Sequence, residues 1–153
     1  YDVLMPSYFD ATGDSRARYG EIRDKFPAWT RALESVLSEQ PSSGRLGLIG
    51  FSLGGALALN LAARSPKIRA VVNFFGFEPA GLQSAGKLPP TLILHGDADR
   101  VVPVSNATSI ASLIKEQGGL VETRIYPGEG HGLSLASLSD AVERTQAFLR
   151  RHV

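Results

Sequence analysis

The sequence predicts an α/β protein: a doubly wound, mostly parallel sheet of about five strands flanked by helices. Three observations carry that expectation. Short apolar runs of strand length alternate along the chain with stretches of helical period. The runs that can be judged are continuously apolar rather than alternating, as parallel strands covered on both faces require. The residues richest in chemistry fall just past the ends of those runs, where the ligand crevice of an open parallel sheet lies.

The elements follow in order. Val3–Met5 is the first apolar run, and residues 7–20 are loop-like, rich in Gly, Ser and Asp. Trp29, Ala32, Leu33, Val36 and Leu37 recur at helical spacing, with Pro27 expected at the first helical position and Trp29 in the core. Leu46–Phe51 is the second strand. Leu57–Ala63 is apolar nearly all round, which predicts a buried helix stopping before Pro66. Ala70–Phe75 is the third strand, and 76–90 reads as loop. Thr91–Leu94 is the fourth strand, followed by a stripe of Ala107, Ile110, Ala111 and Ile114 closed by Gly118-Gly119. Val121–Tyr126 is the fifth strand. The last helix carries Leu138, Ala141, Val142, Thr145, Phe148 and Leu149, with Arg144, Arg150 and Arg151 toward its C-terminus, where cations suit the helix dipole.

Composition narrows the function classes. At 153 residues the chain suits one domain, expected to cover residues 1–153. Net charge is +1 with no basic block, which argues against nucleic acid or an anionic membrane as partner. No apolar run approaches the ~18 residues of a membrane span, and no signal peptide is visible. The absence of cysteine excludes disulfides and thiolate metal sites and leaves the compartment open, leaning to the cytoplasm. Oligomeric state is not legible.

Residues 50–55 read Gly-Phe-Ser-Leu-Gly-Gly, a tight turn between an apolar strand and a helix, with Ser52 in a G-x-S-x-G frame. A serine lifted clear of a sheet sits in a strained backbone, and glycines at 50 and 54 let strand and helix cross closely. The helix start offers unpaired N–H groups beside the serine, favouring negative charge there. A serine hydroxyl is a poor nucleophile near neutral pH, so it needs a base, and an imidazole base needs a carboxylate to fix its tautomer. Both are available past later strands. His95-Gly-Asp-Ala-Asp-Arg-Val-Val-Pro103 follows Thr91–Leu94 and offers Asp97 and Asp99; Pro127-Gly-Glu-Gly-His-Gly132 follows Val121–Tyr126 and offers His131. Neither His95 nor His152 has a metal-ligand partner at the usual spacing; the first is expected to be structural and the second solvated.

The order Ser, Asp, His, with Gly50–Gly55, Val72-Asn-Phe-Phe-Gly76, His95–Pro103 and Tyr126–Gly132 at these spacings, resembles the C-terminal two-thirds of an α/β-hydrolase, most similar to the dienelactone hydrolase-like branch. The resemblance implies a catalytic triad of Ser52 as nucleophile, Asp99 as acid and His131 as base. Asp99 rather than Asp97 fills the acid position of the H-G-x-x-D-x-x-V-P pattern, leaving Asp97 to shape its own turn. The Leu53 N–H becomes an oxyanion-hole donor. The implied activity is hydrolysis of small-molecule carboxylic esters or lactones through an acyl-serine, with no metal or organic cofactor.

Three departures refine this. Dienelactone hydrolases proper carry cysteine where this chain has Ser52, which points to general ester chemistry. They also place an arginine shortly after the histidine, where this chain reads Leu133-Ser134-Leu135, which argues against a dienelactone substrate. Finally, Tyr1–Ser7 resembles the family's fourth strand. The resemblance therefore implies a fragment without the first three strands and the second oxyanion donor, or a reduced variant whose first strand fills the vacant place. Two rivals stay open: a non-catalytic α/β binding module, and a thioesterase or peptidase of the same fold. Phe74, Phe75 and Phe77 are candidates for a pocket wall or, for the first two, the core; Glu78 and Glu129 are expected as carboxylates on the crevice rim.

Overall fold

The structure, a computed structural model, describes residues 2–41 and 45–153. The chain forms two compact units that divide between residues 44 and 45.

The first unit is a short 3-10 turn, Tyr8–Thr12, followed by helix α1, Ile22–Glu39. Trp29 is fully buried, its Nε1–H donating to Thr12 Oγ1 at 2.7 Å and its indole meeting the Phe9 ring edge-on at 5.3 Å. Two expectations are corrected here. Pro27 does not open the helix but lies inside it, because α1 already begins at Ile22; the proline removes the N–H that Arg23 C=O would otherwise accept. Val3–Met5 is not a strand. Its residues are 85, 62 and 89% exposed, and an extended run with no ladder partner and no covering layer has nothing to hold it as one.

The second unit is the sheet. Strands β1, Leu46–Phe51; β2, Ile68–Phe74; β3, Thr91–Gly96; and β4, Val121–Tyr126, pair in parallel in the order β1-β2-β3-β4. Among the described residues the sheet therefore has four strands rather than five, with β1 and β4 outermost. Burial follows position. The inner strands β2 and β3 are almost wholly buried, whereas the outer β1 and β4 leave residues open to solvent.

Helix α2, Leu53–Ala62, bridges β1 and β2 and is buried nearly all round, as its apolar sequence requires. Helix α3, Ser105–Glu116, packs on β3 and β4, and Gly118 (φ 71°) ends its C-terminal turn. Helix α4, Leu135–His152, sets Ala141 and Phe148 against Ala70, Val72, Phe74, Leu92, Leu94 and Tyr126. Those sheet residues alternate with Val71, Asn73 and Ile93, which must therefore face the other side. Asn73 meets Gly55 of α2 there, so both faces are covered, as a doubly wound fold demands.

Register sets up the site. Phe51 is level with Phe74, Phe74 with Leu94, and Gly96 with Tyr126. β1 and β2 end level with Leu94, two residues short of the ends of β3 and β4, so the segments that follow all four strands leave from one edge of the sheet.

Candidate active site

Ser52 stands between β1 and α2 at φ 52° and ψ −118°, a region that a residue with a Cβ rarely adopts. Such a conformation costs of order 1–3 kcal/mol and persists only when its surroundings impose it. Here the Ser52 N–H donates to Phe74 O at 2.9 Å, tying the turn to β2, and Ser52 O accepts from the Gly55 N–H at 2.9 Å. A Cβ at residue 50 would fall 2.1 Å from Gly54 O, so glycine is obligatory there. The second close approach is not at Gly54, where a Cβ would meet open space, but at Gly55, where it would lie 2.3 Å from Asn73 Oδ1. The helix crosses closest one residue later than the G-x-S-x-G frame suggests.

The other two predicted residues come to Ser52. His131 Nε2 lies 2.9 Å from Ser52 Oγ, and His131 Nδ1 lies 2.7 Å from Asp99 Oδ2. The Asp99 side chain is fully buried, while that of His131 is 22% exposed. Burial opposes the charge on Asp99, but hydrogen bonds from His131 and from the Val102 and Val101 N–H groups outweigh it and hold the carboxyl below its usual range. A carboxylate only accepts, so Nδ1 carries the ring proton and Nε2 is left to accept from the serine hydroxyl. Leu53 is the first residue of α2, so its N–H lies outside the helical ladder beside Ser52.

The turn-shaping role expected of Asp97 falls to Asp99, in addition to its contact with His131. Asp99 shapes its own turn, Oδ1 accepting from Val101 N–H at 2.8 Å and Val102 N–H at 2.9 Å. Asp97 reaches away, accepting the Gly128 N–H at 2.7 Å, and so fastens the acid loop to the loop that carries His131. A second strap runs from the Ala98 N–H to Glu129 O at 2.9 Å. The Glu129 side chain does more than line a rim. It accepts from Ser134 N–H at 2.9 Å and Ser137 Oγ–H at 2.6 Å, holding both ends of the segment around His131. Hydrogen bonds from Ser134 and Ser137 keep its carboxyl below the usual range. Sequence offered one cue to Asp97, an acid beside a glycine-rich turn at a strand end, but not its partner 31 residues on.

The remaining candidates fall around this centre. Phe75 follows β2 at φ 40°, and its ring meets His131 edge-on, with centroids 5.0 Å apart. Phe74 is core. His95 is fully buried, its Nε2 lying 2.8 Å from Val102 O and 3.4 Å from Asp99 Oδ2. With two acceptors before it, Nε2 must carry the proton, and the ring braces the acid loop from below. Glu78 accepts from Ser109 Oγ–H at 2.5 Å, tying the 76–90 loop to α3. His152 is not simply solvated, since its Nε2 is buried without a partner and its ring lies 4.6 Å from that of Phe148.

Comparison with known proteins adds relatives to this geometry. Residues 9–149 match the dienelactone hydrolase family. The chain is 23% identical over 145 residues to the carboxymethylenebutenolidase homolog of Xenopus tropicalis, covering 86% of this chain and 58% of that protein. It is 35% identical over 109 residues to acyl-protein thioesterase 1 of Neurospora crassa, covering 65% of this chain and 44% of that protein. Among solved structures, esterase PE8 superposes with a TM-score of 0.70 at 28% identity, covering 91% of this chain and 67% of that one. The chain spans about half the length of these curated relatives.

Proposed function

The chain belongs to the dienelactone hydrolase family, and from that premise we propose that it is a serine hydrolase cleaving small-molecule carboxylic esters or lactones. The observation that carries the reading is the His131 ring set in line between Ser52 Oγ and Asp99 Oδ2, at 2.9 and 2.7 Å.

In this reading His131 Nε2 takes the Ser52 proton as Oγ attacks the ester carbonyl. The carbonyl oxygen gains the negative charge, and the Leu53 N–H donates to it. Asp99, kept ionised by its three donors, stabilises the imidazolium that forms. The tetrahedral intermediate collapses as His131 gives its proton to the leaving alkoxide, leaving an acyl-Ser52 ester. Water then attacks that ester as His131 accepts its proton, and the second tetrahedral intermediate collapses as His131 returns that proton to Ser52 Oγ, releasing the acid. The proton transfers between Ser52 and His131 run along their 2.9 Å contact, with Asp99 held at 2.7 Å from the imidazole.

A thioester can replace the ester in the same sequence of steps, and the likeness to an acyl-protein thioesterase favours including it. A substrate panel pairing p-nitrophenyl esters with matched acyl thioesters separates the two.

A fluorophosphonate probe tests the chemistry, because it reports an activated serine without requiring the true substrate. Labelling of the full chain, lost in Ser52→Ala and in His131→Ala, is the expected result. Asp99→Asn is expected to lower turnover by about 10⁴ with the fold intact. A folded chain that never labels would overturn the reading and favour a non-catalytic module.

A further inference from the structure

At the other end of the strands, a cleft of about 600 Å³ is lined by Arg45, Arg64, Arg69, Lys87, Arg151 and His152 over an apolar floor that includes Ile68 and Leu88. Among the described residues no aspartate or glutamate lines it. Arg45 immediately precedes β1, Arg69 is the second residue of β2, Lys87 lies just ahead of β3, and Arg151 and His152 end α4. Strands of six or seven residues rise ~3.3 Å per residue, which puts this cleft on the order of 20 Å from Ser52. It belongs to no part of the triad.

Helix C-termini explain some of these cations and not others. The ends of α2 and α4 each carry about half a negative charge, which suits Arg64, Arg151 and His152. Arg45, Arg69 and Lys87 come from strand starts and a loop, and among the described residues they form no salt bridge. Arg151 is paired with Glu122 at 2.6 Å through one terminal nitrogen, which leaves its other donors. Two helix ends together offset about one unit of charge, so the cleft stays strongly positive in a chain whose net charge is only +1.

His152 lines the cleft, but its Nε2 is shielded from solvent, so the cationic side chains are the donors that can meet a ligand. The volume also matters, since ~600 Å³ falls in the range of small-molecule sites and exceeds what a single phosphate fills.

We infer that this cleft binds a small polyanion carrying two or more phosphate groups. Arg45, Arg69 and Lys87 supply the charge, and arginine forks grip phosphate oxygens in pairs. The inference is independent of the hydrolase reading, because none of these residues touches the triad.

Calorimetry and thermal denaturation of the full chain test it, with pyrophosphate and tripolyphosphate as probes in about 150 mM NaCl, where weak surface attraction is screened. Saturable binding and a concentration-dependent rise in Tm are expected, with affinity falling about tenfold or more in the folded double variant Arg69→Glu/Lys87→Glu. Should that variant not fold, Arg69→Gln and Lys87→Gln singly carry the test, each with a smaller loss. Labelling of Ser52 is expected to be unchanged in all of them. Three results would overturn the proposal: a shift reproduced by NaCl at matched ionic strength, binding indifferent to the substitutions, or saturable binding of citrate with none of pyrophosphate.

Discussion

The Phe75 ring stands edge-on to the His131 imidazole at 5.0 Å while the Phe75 backbone holds a φ of 40°. The strain and the contact are two sides of one arrangement, since the unusual backbone turns the ring back over the sheet edge toward the histidine. An edge-to-face aromatic pair contributes about 0.5–1.5 kcal/mol. Phe75→Ala is therefore expected to lower kcat about two- to tenfold. Phe75→Gly should do the same to kcat yet be more stable than the alanine variant, because glycine accepts a positive φ freely. Steady-state kinetics beside thermal denaturation of both variants checks the pair of outcomes.

Asp97 touches neither Ser52 nor His131, yet its bond to the Gly128 N–H joins their supporting loops. A charge-assisted bond at an exposed position contributes about 1 kcal/mol. In Asp97→Ala we expect kcat to drop about fivefold with KM unchanged. Asp97→Asn, whose side-chain oxygen still accepts, should recover most of the loss. Equal loss in both variants would count against the strap.

Gly54 and Gly55 should respond oppositely to alanine. At Gly55 the new Cβ would meet Asn73 Oδ1, which is already committed to the Gly76 N–H at 2.9 Å in a fully buried position. Overpacking of that kind destabilises by about 1–3 kcal/mol. At Gly54 the space is open and the backbone helical, so Gly54→Ala is expected to be neutral or to stabilise by up to ~1 kcal/mol. Denaturant midpoints of the two variants give the comparison directly.

The Tyr126 phenol is pushed up to about 12, first by burial and then by its hydrogen bond to Asp140. A folded value raised above the ordinary tyrosine value near 10 means that the folded state favours the protonated phenol. Its stabilising contribution is therefore complete below pH ~10 and is lost as pH rises through ~12. Tyr126→Phe should flatten part of that alkaline decline while leaving stability nearer neutrality lower by the lost bond. Unfolding measured between pH 8 and about 12, with phenolate absorbance followed alongside, tests both claims.

Much of this architecture was legible because it is local or repetitive. The inner strands β2 and β3 are apolar runs, and α2 is apolar throughout because both are enclosed. Ser52, Asp99 and His131 could be placed because each follows a strand, and parallel register brings strand ends together. What stayed hidden depends on partners distant in sequence. Val3–Met5 has strand-like composition, but composition does not supply a neighbour. Pro27 fits a first helical turn by type, and only the five helical residues preceding it move it inside. Nothing in a G-x-S-x-G frame says that Gly55, rather than Gly54, faces a buried asparagine. The link between Asp97 and Gly128 was invisible for the same reason.

Among the described residues strand β1 has a sheet neighbour on one flank only, β2, and it is the strand that delivers Ser52. The bond from the Ser52 N–H to Phe74 O is thus the last rung of a one-sided ladder. Peeling β1 from β2 would relax the serine while the inner pair β2 and β3 stayed together. Reactivity at Ser52 then becomes a gauge of that single seam: heat or mild denaturant should extinguish probe labelling while helical ellipticity is still high. Amide exchange in Leu46–Phe51 should run ahead of exchange in Thr91–Gly96 for the same reason.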